Sequence, residues 1–250
     1  MKNFLYIDMP NLPVNRIKYL LTDYRIIPHA VHELEKMGIR CIFTMPVQAL
    51  YSAVNGHPDM ALHHLGGKKF VCSPQVFTHY QKMLPGAEIV VGKSILERNY
   101  PRDIAYNVGR VGNNAFHNLK YTDRKIYEYY NEIGVNLIHV NQGYSKCSIC
   151  VVACNAIITS DKMIAKQAGL HGIDALLISE EGVILKGMSC GFLGGAAGLA
   201  DRHTLLVNGD IALHPDHKRI TDFCQKYSVE IHSLHSGAIE DIGSFIPLSE

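Results

Sequence analysis

Four segments of this chain superimpose when it is slid along itself by 44 residues. Asp59 in HPDMALHHLGGKKFVCSP, Asp103 in YPRDIAYNVGRVGNNAFHN, Cys147 in GYSKCSICVVACNAIITSD and Gly191 in MSCGFLGGAAGLADRHTLLVNGD hold equivalent places. A fifth copy, slightly out of step, follows near the C-terminus with Asp241 in SGAIEDIGSFIPL. Self-similarity at a fixed period means a repeated supersecondary unit. If the repeat closes on itself, Asp59, Asp103, Cys147 and Asp241 face one another around a single axis.

Each unit reads in the same order: a strand carrying the motif, a turn rich in Gly or Asn, a second apolar strand, a helix and a third strand. The second strands run into helix-start signals, Ser73-Pro74, Thr122-Asp123, Ser160-Asp161 and Gly209-Asp210, with Asp8 in the same role near the N-terminus. Such residues cap free backbone N–H groups at a helix start. Apolar residues at helical spacing follow: Ala30, Val31 and Leu34; Val76, Tyr80 and Leu84; Ile126 and Tyr130; Ile164 and Ala168; Ile220 and Cys224. Short strands come next, in IRCIFT, AEIVVG, VNLIHV, IDALLI and VEIHSL. The N-terminal segment NFLYID lacks a motif strand before it, and DIGSFIPL lacks a second strand after it. Joined, the two ends complete a fifth unit. The expectation is an α/β ring of five ββαβ units, with residues 1–250 as one domain.

Composition excludes several classes. A net charge of +1 with no run of Lys or Arg argues against a nucleic-acid binder. The longest apolar stretch, Ile149 to Ile158, is broken by Asn155 and is about half the length of a membrane span. The N-terminal segment, with an Asp and two Pro, does not read as a signal peptide. Seven Cys suit reduced thiols, and the expected location is cytoplasmic.

The five units, with HPD, DIAYNVGRVGNNAFHN, QGYSKCS, GFLGGAAG and DIGSFIPL, resemble an uncharacterised bacterial family with the pentein fold. That is the closed five-bladed α/β-propeller of the guanidino-group-modifying enzymes. The superfamily holds arginine deiminases, amidinotransferases and dimethylarginine hydrolases, and also a non-catalytic ribosome anti-association factor. The resemblance covers essentially the whole chain. It implies a small guanidino or otherwise cationic ligand. This sequence departs from the enzymes in one respect. Their nucleophilic Cys lies in the last repeat, and SGAIEDIGSFIPLSE contains none.

Cys147 is therefore the candidate nucleophile, on its register with Asp59 and Asp103. Lys146 is its neighbour, but on a strand the two side chains point to opposite faces. Asp59, Asp103 and Asp241 suit the planar N–H groups of a guanidinium, which carboxylates grip in pairs. His57, two residues before Asp59, shares its strand face and can move protons. Asn107, Arg110 and Asn113 in the second-repeat hairpin, and Gly194 and Gly195 in the fourth repeat, are the candidate ligand-binding residues. Cys147 and Cys150 spell C-x-x-C, but no second pair follows and three residues along a strand reverse the face, so no metal site and no cofactor are expected. The spacing does not decide whether Cys147 or Cys150 is the functional thiol.

Two functions fit. One is a hydrolase or transferase acting on guanidines, amidines or amides through Cys147, with Asp and His partners. The other is a non-catalytic pentein that binds a small cationic metabolite or a protein partner through the same face. Oligomeric state is not legible.

Overall fold

Side-chain caps fix where the repeats turn from strand to helix. In the computed structural model, which describes residues 4–250, Asp123 accepts the N–H of Lys125 at 2.9 Å and opens the helix Arg124–Glu132. Asp161 accepts from Met163 and Ile164 and opens Lys162–Leu170. Ser73 and Asp210 start single 3-10 turns, Pro74–Val76 and Ile211–Leu213, ahead of the helices Phe77–Met83 and His217–Lys226.

Five three-stranded sheets share one plan, in which the first strand runs antiparallel to the second and the second runs parallel to the third. The first unit has Leu62–Gly66, Lys69–Cys72 and Glu88–Val91. The second has Gly109–Val111, Asn114–His117 and Asn136–His139. The third has Cys150–Ala153, Ala156–Thr159 and Asp174–Leu177. The fourth has Ala197–Asp201, Thr204–Val207 and Glu230–Ser233. The fifth joins the two ends of the chain: Ile246–Ser249 pairs antiparallel with Tyr19–Thr22, which pairs parallel with Arg40–Phe43 across the helix Pro28–Lys36. A two-stranded pair, Val183–Ile184 with Ile239–Glu240, lies outside this plan. The sheets are separate in their strand pairing.

Burial follows the hydrophobic pattern. The helices bury Ala30 and Leu34, Tyr80, Ile126 and Tyr130, Ile164 and Ala168, and Ile220 and Cys224 against their sheets. Each large apolar side chain so buried contributes about 1.5–3 kcal/mol. First and second strands are buried almost throughout, whereas third strands are half exposed. The first strand of the third unit touches that of the fourth, which touches that of the fifth.

Two expectations need correction. The motif residues do not lie on strands. Asp59 is in the one-turn helix Pro58–Ala61, Cys147 in the one-turn helix Ser145–Ser148, and Gly194 and Gly195 in the 3-10 turn Leu193–Gly195. Each turn delivers the chain into the first strand of its unit. The residues at each join, Met60-Ala61-Leu62 and Cys147-Ser148-Ile149, are all buried, and each turn is too short for its period to mark the join. The second correction concerns the N-terminus. The strand that completes the fifth unit is Tyr19–Thr22, not residues 3–8. Of those, Asn3 lies outside the described residues and Tyr6 makes an isolated bridge to Ser249. The strand-end acid is accordingly Asp23, bonded to the Arg25 guanidinium, and not Asp8.

Asp123 also ties neighbouring units together. Its Oδ2 accepts the N–H groups of Lys93 and Ser94, both at 2.7 Å, from the loop before the second unit. Asp123→Ala leaves these donors and the helix start unpaired in a buried place. It is expected to cost about 3 kcal/mol in urea unfolding, while Asp123→Asn loses less.

Candidate active site

The one-turn helix Ser145–Ser148 packs against Gly109–Val111 of the second unit and against the Leu193–Gly195 turn of the fourth. It thus presents Cys147 to residues from the first, second and fifth units. The Cys147 thiol donates to Asp59 Oδ2 at 3.1 Å and accepts from Asn107 Nδ2 at 3.2 Å. Asn107 Oδ1 in turn takes the N–H of Lys146 at 2.8 Å and that of Cys147 at 3.4 Å, which fixes the turn itself. His57 Nδ1 lies 3.7 Å from Asp241 Oδ1. One ligating atom from each of His57, Cys147 and Asp241 falls within 4.8 Å of the others. Exposure is 2% for His57, 1% for Asp59, 4% for Cys147 and 3% for Asp241, so the group is sealed from solvent.

Burial sets the protonation. It pushes the Cys147 thiol well above its ordinary range, and the carboxylates of Asp59 and Asp241 add to this. It raises Asp59 to about 6, against the opposing charge of Lys146 and the hydrogen bonds from Cys147 and Ser244. Asp241 is raised by the same desolvation, while His57 is lowered by it and partly restored by Asp241. Burial therefore favours the uncharged form of each of these groups. Both ring nitrogens of His57 and Asp59 Oδ1 have no hydrogen-bond partner although fully buried. In native proteins such groups are rare and call for an explanation.

Three residues at the site escaped sequence reasoning. Lys146 was placed on the opposite face from Cys147 because a strand was assumed. In the helical turn it is buried beside the thiol, its ammonium disfavoured by desolvation and favoured by Asp59 and Cys147. Ser244 Oγ lies 2.9 Å from Asp59 Oδ2 and 2.8 Å from the Gly194 carbonyl, and its one proton is shared between these two acceptors. Its φ of 78° is left-handed, a conformation costly for a residue with a side chain. Glycine would relieve that cost, so the hydroxyl is the reason for serine. Tyr144 is the third. Its hydroxyl donates to Asp103 Oδ2 at 2.6 Å and meets the Tyr51 hydroxyl at 3.2 Å. The fixed period held signals for two of the three, since Lys146 adjoins and Ser244 closely follows a motif position.

The remaining candidates divide. Asp103 is buried and bonds the Tyr144 hydroxyl rather than a member of the cluster. Gly194 and Gly195 do not line an open pocket. They let the fourth-unit turn lie against Cys147 and Asp241: a Cβ on Gly195 would stand 2.1 Å from Asp241 Oδ1. Arg110 points elsewhere, with Nε donating to the Gly112 carbonyl and the guanidinium over the Tyr130 ring. Asn113 sits at an exposed hairpin end and bonds the Gly134 carbonyl. Cys150 begins a core strand among apolar neighbours, which separates it from Cys147. His63 bonds the Tyr130 hydroxyl, and His64 stacks on Phe70. On the far side of Asp59, a cavity of about 10 Å³ is bordered by Lys146, His63 and His64. Asp241 borders a larger one of about 80 Å³, with Arg25, Lys186 and Glu240 around it.

The sequence model of a family of unknown function (DUF6873) matches residues 21–246. The chain belongs to that family. No curated relative matches it. Among solved structures, the inosamine-phosphate amidinotransferase of Streptomyces griseus is similar over 98% of this chain and 97% of its own, with a TM-score of 0.56 at 8% identity. The agmatine deiminase of C. jejuni is similar over 94% and 91%, with a TM-score of 0.56 at 10% identity. A DDAH from Pseudomonas aeruginosa, a mutant complexed with citrulline, is similar over 92% and 97%, with a TM-score of 0.53 at 8% identity. These neighbours are guanidino-modifying enzymes, and at such identities the likeness concerns fold: this member of the family has the α/β pentein fold. Among its described residues no helix is long and apolar enough to cross a membrane.

Proposed function

We propose that this protein is a thiol-dependent hydrolase or transferase of guanidine, amidine or amide groups, with Cys147 as nucleophile. On this reading residues 1–250 form one domain, and the five units are the blades of a closed α/β-propeller with the cluster at its axis. The observation that carries the proposal is the thiol itself. It contacts Asp59 and Asn107 and lies within 4.8 Å of His57 and Asp241, while His57 and one oxygen of Asp59 have no other partner. The neighbours' substrates, as their names give them, support a small guanidino ligand.

The chemistry balances through these groups. A cationic ligand held by Asp59 and Asp241 lowers the cost of ionising the thiol, because it offsets their charge beside the sulfur. His57 takes the thiol proton, and Sγ bonds the electrophilic carbon. The C–N bond to the leaving amine breaks as His57 hands that proton to the nitrogen. Water then adds to the S-bound carbon and gives its proton to His57; the C–S bond breaks and the proton returns to sulfur. In a transferase an acceptor amine takes the place of water. Asn107 steadies the sulfur, and Asp103 acts through Tyr144 at the rim.

The test is turnover of a panel of guanidines, amidines and amides, read as released amine or ammonia. Cys147→Ser is expected to lower turnover by at least about 1,000-fold with the fold intact. Turnover that survives the substitution eliminates the mechanism. Ligand binding without any turnover favours the binding module, a reading that the enclosure of the thiol also supports.

A further inference from the structure

We propose that His57, Cys147 and Asp241 bind a thiophilic divalent cation of the Zn2+ type, with Asp59 beside them as a further oxygen donor. The C-x-x-C spacing argues against zinc because Cys150 belongs to the core. The trio is assembled instead from the first, third and fifth units, which no local spacing could reveal.

Four features support the site. First, nitrogen, sulfur and carboxylate oxygen together are a ligand set that zinc takes readily. Around a tetrahedral zinc, such atoms stand about 3.3–3.8 Å apart. Here they already lie within 4.8 Å of one another, with His57 Nδ1 and Asp241 Oδ1 at 3.7 Å. Second, both His57 nitrogens are buried without a partner, and so is Asp59 Oδ1. Third, the outer contacts of a metal centre are present. Asn107 donates to the sulfur, and the N–H groups of Phe192 and Gly243 donate to the two oxygens of Asp241 at 2.9 and 3.0 Å. Such partners orient ligands and raise affinity. Fourth, the three side chains are enclosed, with exposures of 2% for His57, 4% for Cys147 and 3% for Asp241. Binding releases the thiol proton, and that of any protonated carboxyl, to solvent and involves no redox change.

The cation and thiol chemistry compete for one sulfur, so occupancy silences Cys147 towards electrophiles. The inference is independent of the proposed turnover, because it is read from the metal and the thiol alone. Chain freed of metal by chelator and titrated with Co2+ is expected to bind one ion per chain. The complex should show tetrahedral cobalt absorption and a sulfur-to-cobalt charge-transfer band in the near ultraviolet. Zn2+ should displace it and slow iodoacetamide labelling of Cys147 more than 10-fold. Cys147→Ser should abolish the band, whereas Cys150→Ser and Cys190→Ser should keep it. His57→Gln and Asp241→Asn should each weaken Co2+ by more than about 100-fold, and Asn107→Ala by about 10–100-fold. Absence of the charge-transfer band, its survival in Cys147→Ser, or unchanged affinity in both His57→Gln and Asp241→Asn overturns the proposal. Circular dichroism of each variant separates lost ligation from lost fold.

Discussion

Urea unfolding at pH 4.5 is expected to give about 3 kcal/mol less stability than at pH 7.5. The cause is a set of histidines that the fold keeps neutral. Burial pushes His64 and His117 down to about 4, and His63 lies well below its ordinary value. The bonding of His117 fixes its neutral form: Nε2 donates to the Gly143 carbonyl at 3.0 Å, so Nδ1 accepts from the Thr122 hydroxyl at 2.7 Å. An unfolded histidine titrates near 6.5. Between about pH 6.5 and 4 the unfolded chain therefore binds protons that the folded chain refuses, and stability falls as acid is added. His64 and His117 each account for about 2.6 kcal/mol at pH 4.5. Asp59 works in the other direction. Its folded value of about 6 exceeds the usual carboxyl value, so the metal-free protein regains about 2 kcal/mol as that group takes up its proton. Histidines outweigh the carboxyl. His117→Gln should reduce the pH dependence by roughly 2–3 kcal/mol, most of the net effect. A stability that stays level from pH 7.5 to 4.5 contradicts this account of the buried imidazoles.

The second large effect is steric. In Gly194→Ala the new methyl group would stand 2.4 Å from the Ile149 carbonyl carbon and 2.5 Å from the Cys147 carbonyl oxygen. These are backbone atoms, so no rotamer change relieves the contact. The fourth-unit turn or the Cys147 turn must move. The cost should reach or exceed about 3 kcal/mol, at the upper end of overpacking effects. The displacement also loosens Asp59 from Ser244, which bonds the Gly194 carbonyl. Gly169→Ala is the matched control. Gly169 lies in the helix Lys162–Leu170 with nothing within 4 Å of its added methyl, and alanine there should stabilise by about 0.5–1 kcal/mol. Equal effects at the two positions would show that the close approach beside Cys147 is of no consequence.

Most of the architecture could be read from the chain because its signals are local. Asp123 and Asp161 cap their helices where the sequence placed them, and all five third strands follow at the expected positions. The register alone links Asp59, Cys147 and Asp241, whereas His57 enters on a shared strand face that the structure replaces with a helix start, and Asp103, in the same register, bonds Tyr144. Failure came where one residue of phase decides the outcome. Lys146 faces away from Cys147 on a strand but lies beside it on a helical turn, and the four residues Ser145 to Ser148 are too few to show either period. Arg110 and Asn113 were drawn to the site by proximity in sequence to Asn107. Arg110 lies on the strand against which the Cys147 turn packs, but its guanidinium turns to the Gly112 carbonyl and the Tyr130 ring, and Asn113 sits at the exposed hairpin end. Ser244 follows the motif position Asp241 by three residues, but its left-handed backbone, which singles it out, is not written in a sequence.

The pairing of Ile246–Ser249 with Tyr19–Thr22 has a consequence for how the protein is made. On the ribosome Tyr19–Thr22 can pair early with Arg40–Phe43, but its antiparallel ladder must wait for Ile246–Ser249, more than two hundred residues later. Asp241 and Ser244 arrive just as late, so Cys147 is translated well before the acids and hydroxyl that surround it. Contacts of such long sequence separation fold slowly and leave strand edges bare in the meantime. A nascent chain stalled near residue 235 should therefore present a half-built fold with an accessible thiol, a species suited to chaperone capture rather than to chemistry.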